Sequence, residues 1–205
     1  MREDGFEFWN VIHNALDDAR DHYDVIILDT PPALSYVTIN ALMASDGILM
    51  PLPPNALDAA SAAQFWRLFS DLAGQLVEQR GVTKNFDFVR VLLTRVDTQD
   101  ATTTTIRDWI NKTYEGKVLP AEIPKTTVAN SSSAEFGTVY DVAKYEGNQK
   151  TYKRARDAYE RGAELMEEVI CATWRRRAGD ASCANRRRDG RRWDSRRSPL
   201  SRRTA

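Results

Sequence analysis

Residues 24–32, with the sequence Asp-Val-Ile-Ile-Leu-Asp-Thr-Pro-Pro, place the strongest constraint on what this chain can fold into. Four apolar residues, three of them β-branched, are followed at once by an acid, a hydroxyl and two prolines. Such a run predicts a strand at residues 24–29 that is buried on both faces, as in a parallel sheet. Pro31 has no N–H to donate and keeps Thr30 out of helical geometry, so the strand must end there.

Asp29 is therefore expected at the carboxyl end of a buried strand, which is the edge where open α/β sheets bind their ligands. An acid at that edge can hold Mg²⁺ through water, beside the phosphates of a nucleotide. The plainer interpretation is a strand that simply ends in a solvated Asp. This segment alone leaves both interpretations open.

Apolar spacing and proline positions predict the other elements. Helices are expected at residues 6–22, 37–44, 57–79, 105–114 and 148–174, and further strands at residues 47–52, 88–94 and 117–123. Strands that alternate with helices of this length imply βαβ units. The sequence therefore predicts an α/β fold with a mainly parallel sheet and helices on both faces.

The formal net charge of zero conceals two oppositely charged parts of the chain. Residues 1–174 carry 17 Lys and Arg against 26 Asp and Glu, whereas residues 175–205 carry 12 Arg against 3 Asp. Because the second part has almost no aliphatic residues, we expect one domain over 1–174 and an Arg-rich disordered tail over 175–205. Three origins of the tail stay open: an arm that binds nucleic acid, an inert extension, or translation out of the native frame.

The sequence also argues against several classes of protein. Cys171 and Cys183 have neither metal-site spacing nor a disulfide framework. No apolar run approaches the ~18 residues that cross a bilayer, and the amino terminus lacks a signal-peptide core. We therefore expect a cytoplasmic protein without a membrane partner. No Ser/His/Asp or Cys/His arrangement indicates nucleophilic catalysis.

Four segments, in order, resemble the ParA-type partition ATPases, the MinD-related P-loop proteins with a deviant Walker A motif. Residues 24–32 resemble their Walker B segment, and residues 44–58, from Ala-Ser-Asp-Gly-Ile-Leu-Met-Pro-Leu onward, resemble the next strand and its loop. Residues 91–97 resemble a strand that ends near the nucleotide base, and residues 123–130 with 137–141 resemble a late base-contacting loop and closing segment. The resemblance implies a Rossmann-like P-loop three-layer sandwich over residues 5–174.

The resemblance also implies a function. Such proteins bind ATP and Mg²⁺, form a homodimer around the nucleotide, coat nonspecific DNA on the nucleoid, and hydrolyse ATP when stimulated by a centromere-binding partition protein. By resemblance, Asp29 binds Mg²⁺ through water, and Thr30 and Pro31 shape the loop that senses the γ-phosphate.

Four further residues are assigned to the nucleotide site by the same resemblance. Asp58 lies in a switch after the second strand, Thr94 and Arg95 approach the base, and Pro124 lies on the other side of the base. Each has a plainer interpretation: Asp58 as an acid in the first turn of a helix, Thr94 and Arg95 as the cap of a strand, and Pro124 as a chain stop.

The sequence departs from the family in one decisive place. The family holds the phosphates with a glycine-rich Gly-Lys-Thr loop, but no Gly-Lys-[Ser/Thr] occurs here, and the only Gly-Lys is followed by Val118. We therefore expect the C-terminal portion of such an ATPase, inactive in hydrolysis as this chain. Without the central strand that precedes the loop, two strands of the sheet would have unpaired edges.

A basic cluster begins the last predicted helix and consists of Lys150, Lys153, Arg154 and Arg156, where family members bind nonspecific DNA. The alternative is a solvated helix face with i,i+4 ion pairs such as Arg156 to Glu160. Two other functions stay open for the whole chain: a non-catalytic DNA- or partner-binding module that interferes with full-length partition proteins, and a P-loop protein with metabolic ATP chemistry.

Overall fold

The computed structural model describes residues 7–31, 33–134, 137–140 and 147–178. The chain divides into two compact units, Met1–Ala163 and Glu164–Ala205. Every described strand lies in the first unit, and the described part of the second unit is the C-terminal portion of one long helix. None of the described helices is long and apolar enough to cross a membrane.

The described elements alternate between helices and strands, and the three strands form one parallel sheet in the order β1-β2-β3. The predicted α/β fold with a parallel sheet is therefore confirmed. The elements are a 3₁₀ turn (Phe8–Asn10), α1 (Val11–Ala15), α2 (Asp17–Arg20), α3 (Tyr36–Ala44), β1 (Gly47–Leu52), α4 (Ala56–Arg80), β2 (Phe88–Val96), α5 (Ala101–Thr113), β3 (Val118–Pro124), α6 (Thr127–Ala134) and α7 (Gln149–Ala178).

The central strand β2 holds the core of the sheet. Its side chains alternate between the two faces, and Val91 and Leu93 are 0% and 1% exposed. They pack in one cluster with Ala59 of α4 and Ile110 of α5. The intervening Leu92 points to the other face, where a Cβ on Gly162 of α7 would lie 3.8 Å from its side chain. The sheet is thus covered on both faces, as parallel sheets require.

The predicted strand at residues 24–29 is wrong. These residues have no regular secondary structure and take no part in the described sheet. Val25, Ile26 and Ile27 are 42%, 36% and 87% exposed. A strand forms only where a neighbouring backbone satisfies its N–H and C=O groups, and apolar composition does not reveal whether that neighbour is present.

The predicted helix at residues 6–22 is broken into three short pieces, which is also a correction. Leu16 keeps a right-handed but distorted main-chain conformation (φ −90°, ψ −3°) and separates α1 from α2. The N-terminus of α1 is fixed by a distant side chain: Val11 N and Ile12 N donate to Asn40 Oδ1 at 3.1 and 3.5 Å. A partner 29 residues away cannot be read from local periodicity.

The other helices mostly follow the sequence, with shifted ends. Helix α5 begins four residues earlier than predicted, because Asp100 Oδ1 accepts a hydrogen bond from Thr102 N at 2.8 Å. Helix α7 continues to Ala178, past the predicted boundary at residue 174. The rest of the predicted tail lies outside the described residues. Helix α6 was not predicted, and Thr126 Oγ1 accepts from Val128 N at 3.2 Å at its start.

The pairing of β1 with β2 leaves no room for a side chain at Gly47. Its ladder partner is Phe88, and a Cβ at residue 47 would overlap the outer end of the Phe88 ring. We expect Gly47→Ala to lower the free energy of unfolding by about 1–3 kcal/mol, because the ring must move from its packed position. Urea denaturation followed by circular dichroism measures this as a lower midpoint.

Gly74→Ala is the matched control for this substitution. Gly74 lies inside α4, and a Cβ there has nothing within 4 Å. Alanine should therefore raise stability by about 0.5–1 kcal/mol through helix propensity alone. Equal midpoints for the two variants would contradict the close contact between Gly47 and Phe88.

Candidate functional site

The three strands run in the same direction, so their carboxyl ends lie along one edge of the sheet, here called the carboxyl edge. β1 ends at Leu52, β2 at Val96 and β3 at Pro124. Val96 and Pro124 are ladder partners, and Lys125 N donates to Val96 O at 3.0 Å. Open parallel sheets bind ligands at this edge, which makes it the candidate site.

Two of the predicted base-contacting residues lie in an irregular part of β2. Leu93 pairs with Glu122 and Val96 with Pro124, so β2 uses three residues where β3 uses two. This bulge contains Thr94 and Arg95, and Arg95 has a left-handed φ of 52°. Non-glycine residues held in that region cost about 1–3 kcal/mol, and they concentrate at binding sites. The bulge leaves Arg95 exposed at the carboxyl edge, beside Pro124.

An ion pair fixes the chain just after the bulge. Lys125 Nζ lies 3.2 Å from Asp97 Oδ2, and Asp97 Oδ1 accepts from Gln99 N at 3.1 Å. The Gln99 N–H and the Lys125 ammonium together hold the pKa of Asp97 below its usual value, so this carboxylate is ionised at neutral pH. Asp97 and Lys125 were not predicted as site residues, although an acid directly after a strand is the same signal that singled out Asp29.

Asp58 lies at the start of α4, just after β1 reaches the carboxyl edge. Asn55 is the N-cap of this helix: its Oδ1 accepts from Asp58 N at 3.0 Å, and its Nδ2 donates to Asp58 Oδ2 at 2.5 Å. The two side chains therefore satisfy each other as a reciprocal cap. Asn55 was missed in the sequence, although an Asn three residues before an acid is a recognised helix-start signal.

Asp29, Thr30 and Pro31 lie on the exposed irregular segment between α2 and α3. Ala33 N donates to Pro31 O at 2.8 Å, which tightens the turn that follows. Within the described residues, no hydrogen bond or ion pair joins Asp29 to the carboxyl edge, and no group of three or more acids, His or Cys is arranged to hold a metal. A single exposed carboxylate still fits Mg²⁺ held mainly by water.

The basic cluster of Lys150, Lys153, Arg154 and Arg156 lies on the first two turns of α7, and all four residues are exposed. The opposite face of the same turns is anchored. Ala155 is fully buried against Val128 and Val139. Tyr152 OH donates to Val139 O at 3.2 Å. The cations are thus presented by a fixed helix.

Arg156 differs from the other three cations because an aromatic ring holds it. Its guanidinium lies 5.8 Å from the ring centroid of Tyr140, a cation–π arrangement. Among the described residues no ion pair joins Arg156 to Glu160, so the i,i+4 pair named in the alternative interpretation is not formed. Burial, with a smaller contribution from Glu160, raises the pKa of Tyr140 and keeps the ring neutral. Tyr140, which precedes the helix by nine residues, was not predicted as a partner.

The sequence of this chain is similar to those of known proteins. A family model described as an AAA domain matches residues 5–80. The putative replication protein A of Sinorhizobium fredii is 29% identical over 174 residues, which cover 85% of this chain and 42% of that protein. The virulence plasmid ParA family protein pGP5-D of Chlamydia psittaci is 31% identical over 132 residues, covering 63% of this chain and 46% of that protein.

A solved structure titled "Partition Protein" has the same fold. Its TM-score is 0.56 at 20% identity, and the match covers 80% of this chain and 43% of that one. The chain therefore spans less than half the length of the two relatives and of this structure.

The reciprocal cap of α4 can be tested by its effect on stability. We expect Asn55→Ala to lower the free energy of unfolding by about 1 kcal/mol, because Asp58 N loses its acceptor. The control is Asn111→Ala, which removes an exposed Asn from the interior of α5 and should leave the urea midpoint unchanged or slightly raised. An unchanged midpoint for Asn55→Ala would show that the cap contributes nothing.

Proposed function

This chain belongs to the ParA-type partition ATPase family, and we propose that it supplies the nonspecific DNA-binding surface of a plasmid or chromosome partition protein. The observation that carries this proposal is the basic cluster on α7. Four exposed cations lie within seven consecutive positions, on a helix whose other face is buried. Such a surface binds the phosphate backbone without reading bases.

The anchoring of α7 supports this role over that of a merely solvated face. Exposed Lys and Arg side chains lose entropy when they bind, so a helix that is already fixed binds phosphates at a lower cost. The Tyr140 ring holds Arg156 in place in the same way, and it leaves the N–H groups of the guanidinium available for phosphate oxygens. Lys150, Lys153 and Arg154 add three further positive charges.

We further propose that the carboxyl edge is the base side of an ATP site. Thr94 and Arg95 on the bulge and Pro124 on β3 would contact the base, and Asp58 would belong to a switch. Asp29 would hold Mg²⁺ through water, and Thr30 and Pro31 would shape the loop that senses the γ-phosphate. The phosphates need a Gly-Lys-[Ser/Thr] loop, which these 205 residues do not contain. The 205 residues of this chain therefore do not hydrolyse ATP by themselves.

We propose two further family properties for a protein that also carries the phosphate loop. The first is a homodimer that encloses nucleotide. The second is stimulation of hydrolysis by a centromere-binding partition protein. The exposed basic cluster on α7 also fits a second candidate function: a non-catalytic module that binds DNA or full-length partition proteins and interferes with them. The two candidate functions differ in whether the chain, when added to a full-length partition protein, reduces the DNA binding of that protein.

The DNA-binding surface is tested by removing three of its charges. We expect the triple variant Lys150→Ala, Lys153→Ala, Arg154→Ala to bind random-sequence duplex DNA more weakly. The slope of log K against log salt should become shallower by about 0.9 for each lost phosphate contact. Fluorescence anisotropy between 50 and 200 mM salt measures both quantities.

The matched control removes the same charge elsewhere. Arg67→Ala, Lys112→Ala, Lys117→Ala changes three exposed cations on α4, on α5 and after α5, outside the basic cluster. It should leave the salt slope close to that of the unaltered chain. Equal slopes for both triple variants would assign DNA binding to net charge, or to the Arg-rich residues 175–205, instead of α7.

Nucleotide binding gives a separate prediction. We expect no saturable binding of a fluorescent ATP analogue with Mg²⁺ up to about 1 mM, because the phosphates have no backbone N–H cradle here. Asp29→Ala should therefore behave like the unaltered chain in the same titration. Tight binding that Asp29→Ala weakens would mean that another segment supplies the cradle, and the proposed inactivity would be wrong.

A further inference from the structure

Tyr140 is an exposed aromatic residue beside the basic cluster on α7. It is 40% exposed, whereas Val139 directly before it is buried and packs with Val128 and Ala155. Tyr140 N also donates to Thr138 Oγ1 at 3.2 Å. A buried neighbour and a local hydrogen bond therefore fix the main chain at Tyr140, while its ring reaches the surface.

The hydroxyl of Tyr140 forms no hydrogen bond with any residue in the described ranges. In this it differs from Tyr152, whose hydroxyl donates to Val139 O at 3.2 Å. Burial is the main cause that raises the pKa of Tyr140, so its hydroxyl keeps the proton at neutral pH. A protonated phenol is a hydrogen-bond donor without net charge.

Arg156 provides charged donors at the same place on the surface. Its guanidinium lies 5.8 Å from the centroid of the Tyr140 ring. Arg156 is exposed, and within the described part of the chain neither Asp157 nor Glu160 forms an ion pair with it. A cation–π contact leaves the N–H groups of a guanidinium available to an acceptor. An uncharged donor and a charged one thus lie side by side.

We propose that Tyr140 and Arg156 together bind a single phosphate group of duplex DNA. Arg156 donates through its N–H groups, whose fork geometry matches phosphate oxygens, and the Tyr140 hydroxyl donates to another oxygen of the same phosphate. The contact between the two side chains holds both donors in place before DNA binds, which lowers the entropy lost on binding. This inference rests on the proposed DNA-binding function and adds to it an uncharged residue outside the basic cluster.

The salt dependence of binding separates the two donors. Loss of a cation that contacts a phosphate makes the slope of log K against log salt shallower by about 0.9, because fewer counterions are released. Loss of an uncharged donor weakens binding at every salt concentration and leaves that slope unchanged. The contribution of the Tyr140 hydroxyl can therefore be measured apart from that of Arg156 and from net charge.

Tyr140→Phe in the full chain removes the hydroxyl and keeps the ring that contacts Arg156. We expect its affinity for random-sequence duplex DNA to fall about three- to tenfold at about 100 mM salt, with an unchanged salt slope. Arg156→Ala should weaken binding and also make the slope shallower by about 0.9. Fluorescence anisotropy measures both quantities.

Tyr36→Phe is the matched control, because Tyr36 is 74% exposed on α3 and lies outside the basic cluster. It should bind DNA with the affinity and salt slope of the unaltered chain. Unchanged affinity for Tyr140→Phe would overturn the proposal. A slope made shallower by Tyr140→Phe would also overturn it, since the ring would then act only through the position of Arg156.

A double-mutant cycle tests whether the two donors share one phosphate. In an Arg156→Ala background, Tyr140→Phe should weaken binding by less than about twofold, because the shared phosphate is already lost. The full three- to tenfold loss in that background, about the same as in the unaltered chain, would overturn the shared site.

The triple variant of Lys150, Lys153 and Arg154 distinguishes this inference from the proposed function, because it leaves Tyr140 and Arg156 intact. If the triple variant binds DNA as the unaltered chain does, the proposed surface on α7 is wrong, and the inference fails with it. If the triple variant is weakened but Tyr140→Phe is not, only the phosphate site at Tyr140 is wrong.

Discussion

The parallel pairing of β2 with both of its neighbours is the constraint on which the rest of the structure depends. A strand paired on both sides has both faces to bury, so α4 and α5 cover Val91 and Leu93 while α7 covers Leu92. Parallel strands also need long crossovers, which places a helix after each strand. Because β1, β2 and β3 run in the same direction, all three carboxyl ends lie at one edge of the sheet. Core, helix order and candidate site thus follow from one ladder pattern.

Periodicity and prolines predicted β1, α4 and β2 well, because these elements are determined largely by their own residues. α4 begins with a local cap, Asn55, and ends at Gly81, which has the left-handed φ of 65° that a glycine adopts without strain. Residues 24–29 show the limit of this approach. Their composition is that of a buried strand, but a strand is completed by another backbone, and the sequence of one segment contains no information about its neighbour.

The candidate site was predictable in position and less so in detail. The order of the motifs predicted that Thr94, Arg95 and Pro124 lie near one another. The ladder pairing of Val96 with Pro124 accounts for that proximity. The extra residue in β2 depends on register against β3, which one strand's sequence does not specify. The contact of Arg156 with Tyr140 likewise comes from tertiary packing, since it joins α7 to residues before that helix begins.

The contact between Gly47 and Phe88 has a consequence for how related sequences can differ. The outer end of the ring occupies the volume that a side chain at residue 47 would need, so the ring must move before that position can hold one. A relative with a larger residue at position 47 is expected to carry a smaller residue at position 88 or to hold the aromatic ring in another orientation. Substitutions at these two positions, 41 residues apart in the chain, should therefore depend on each other.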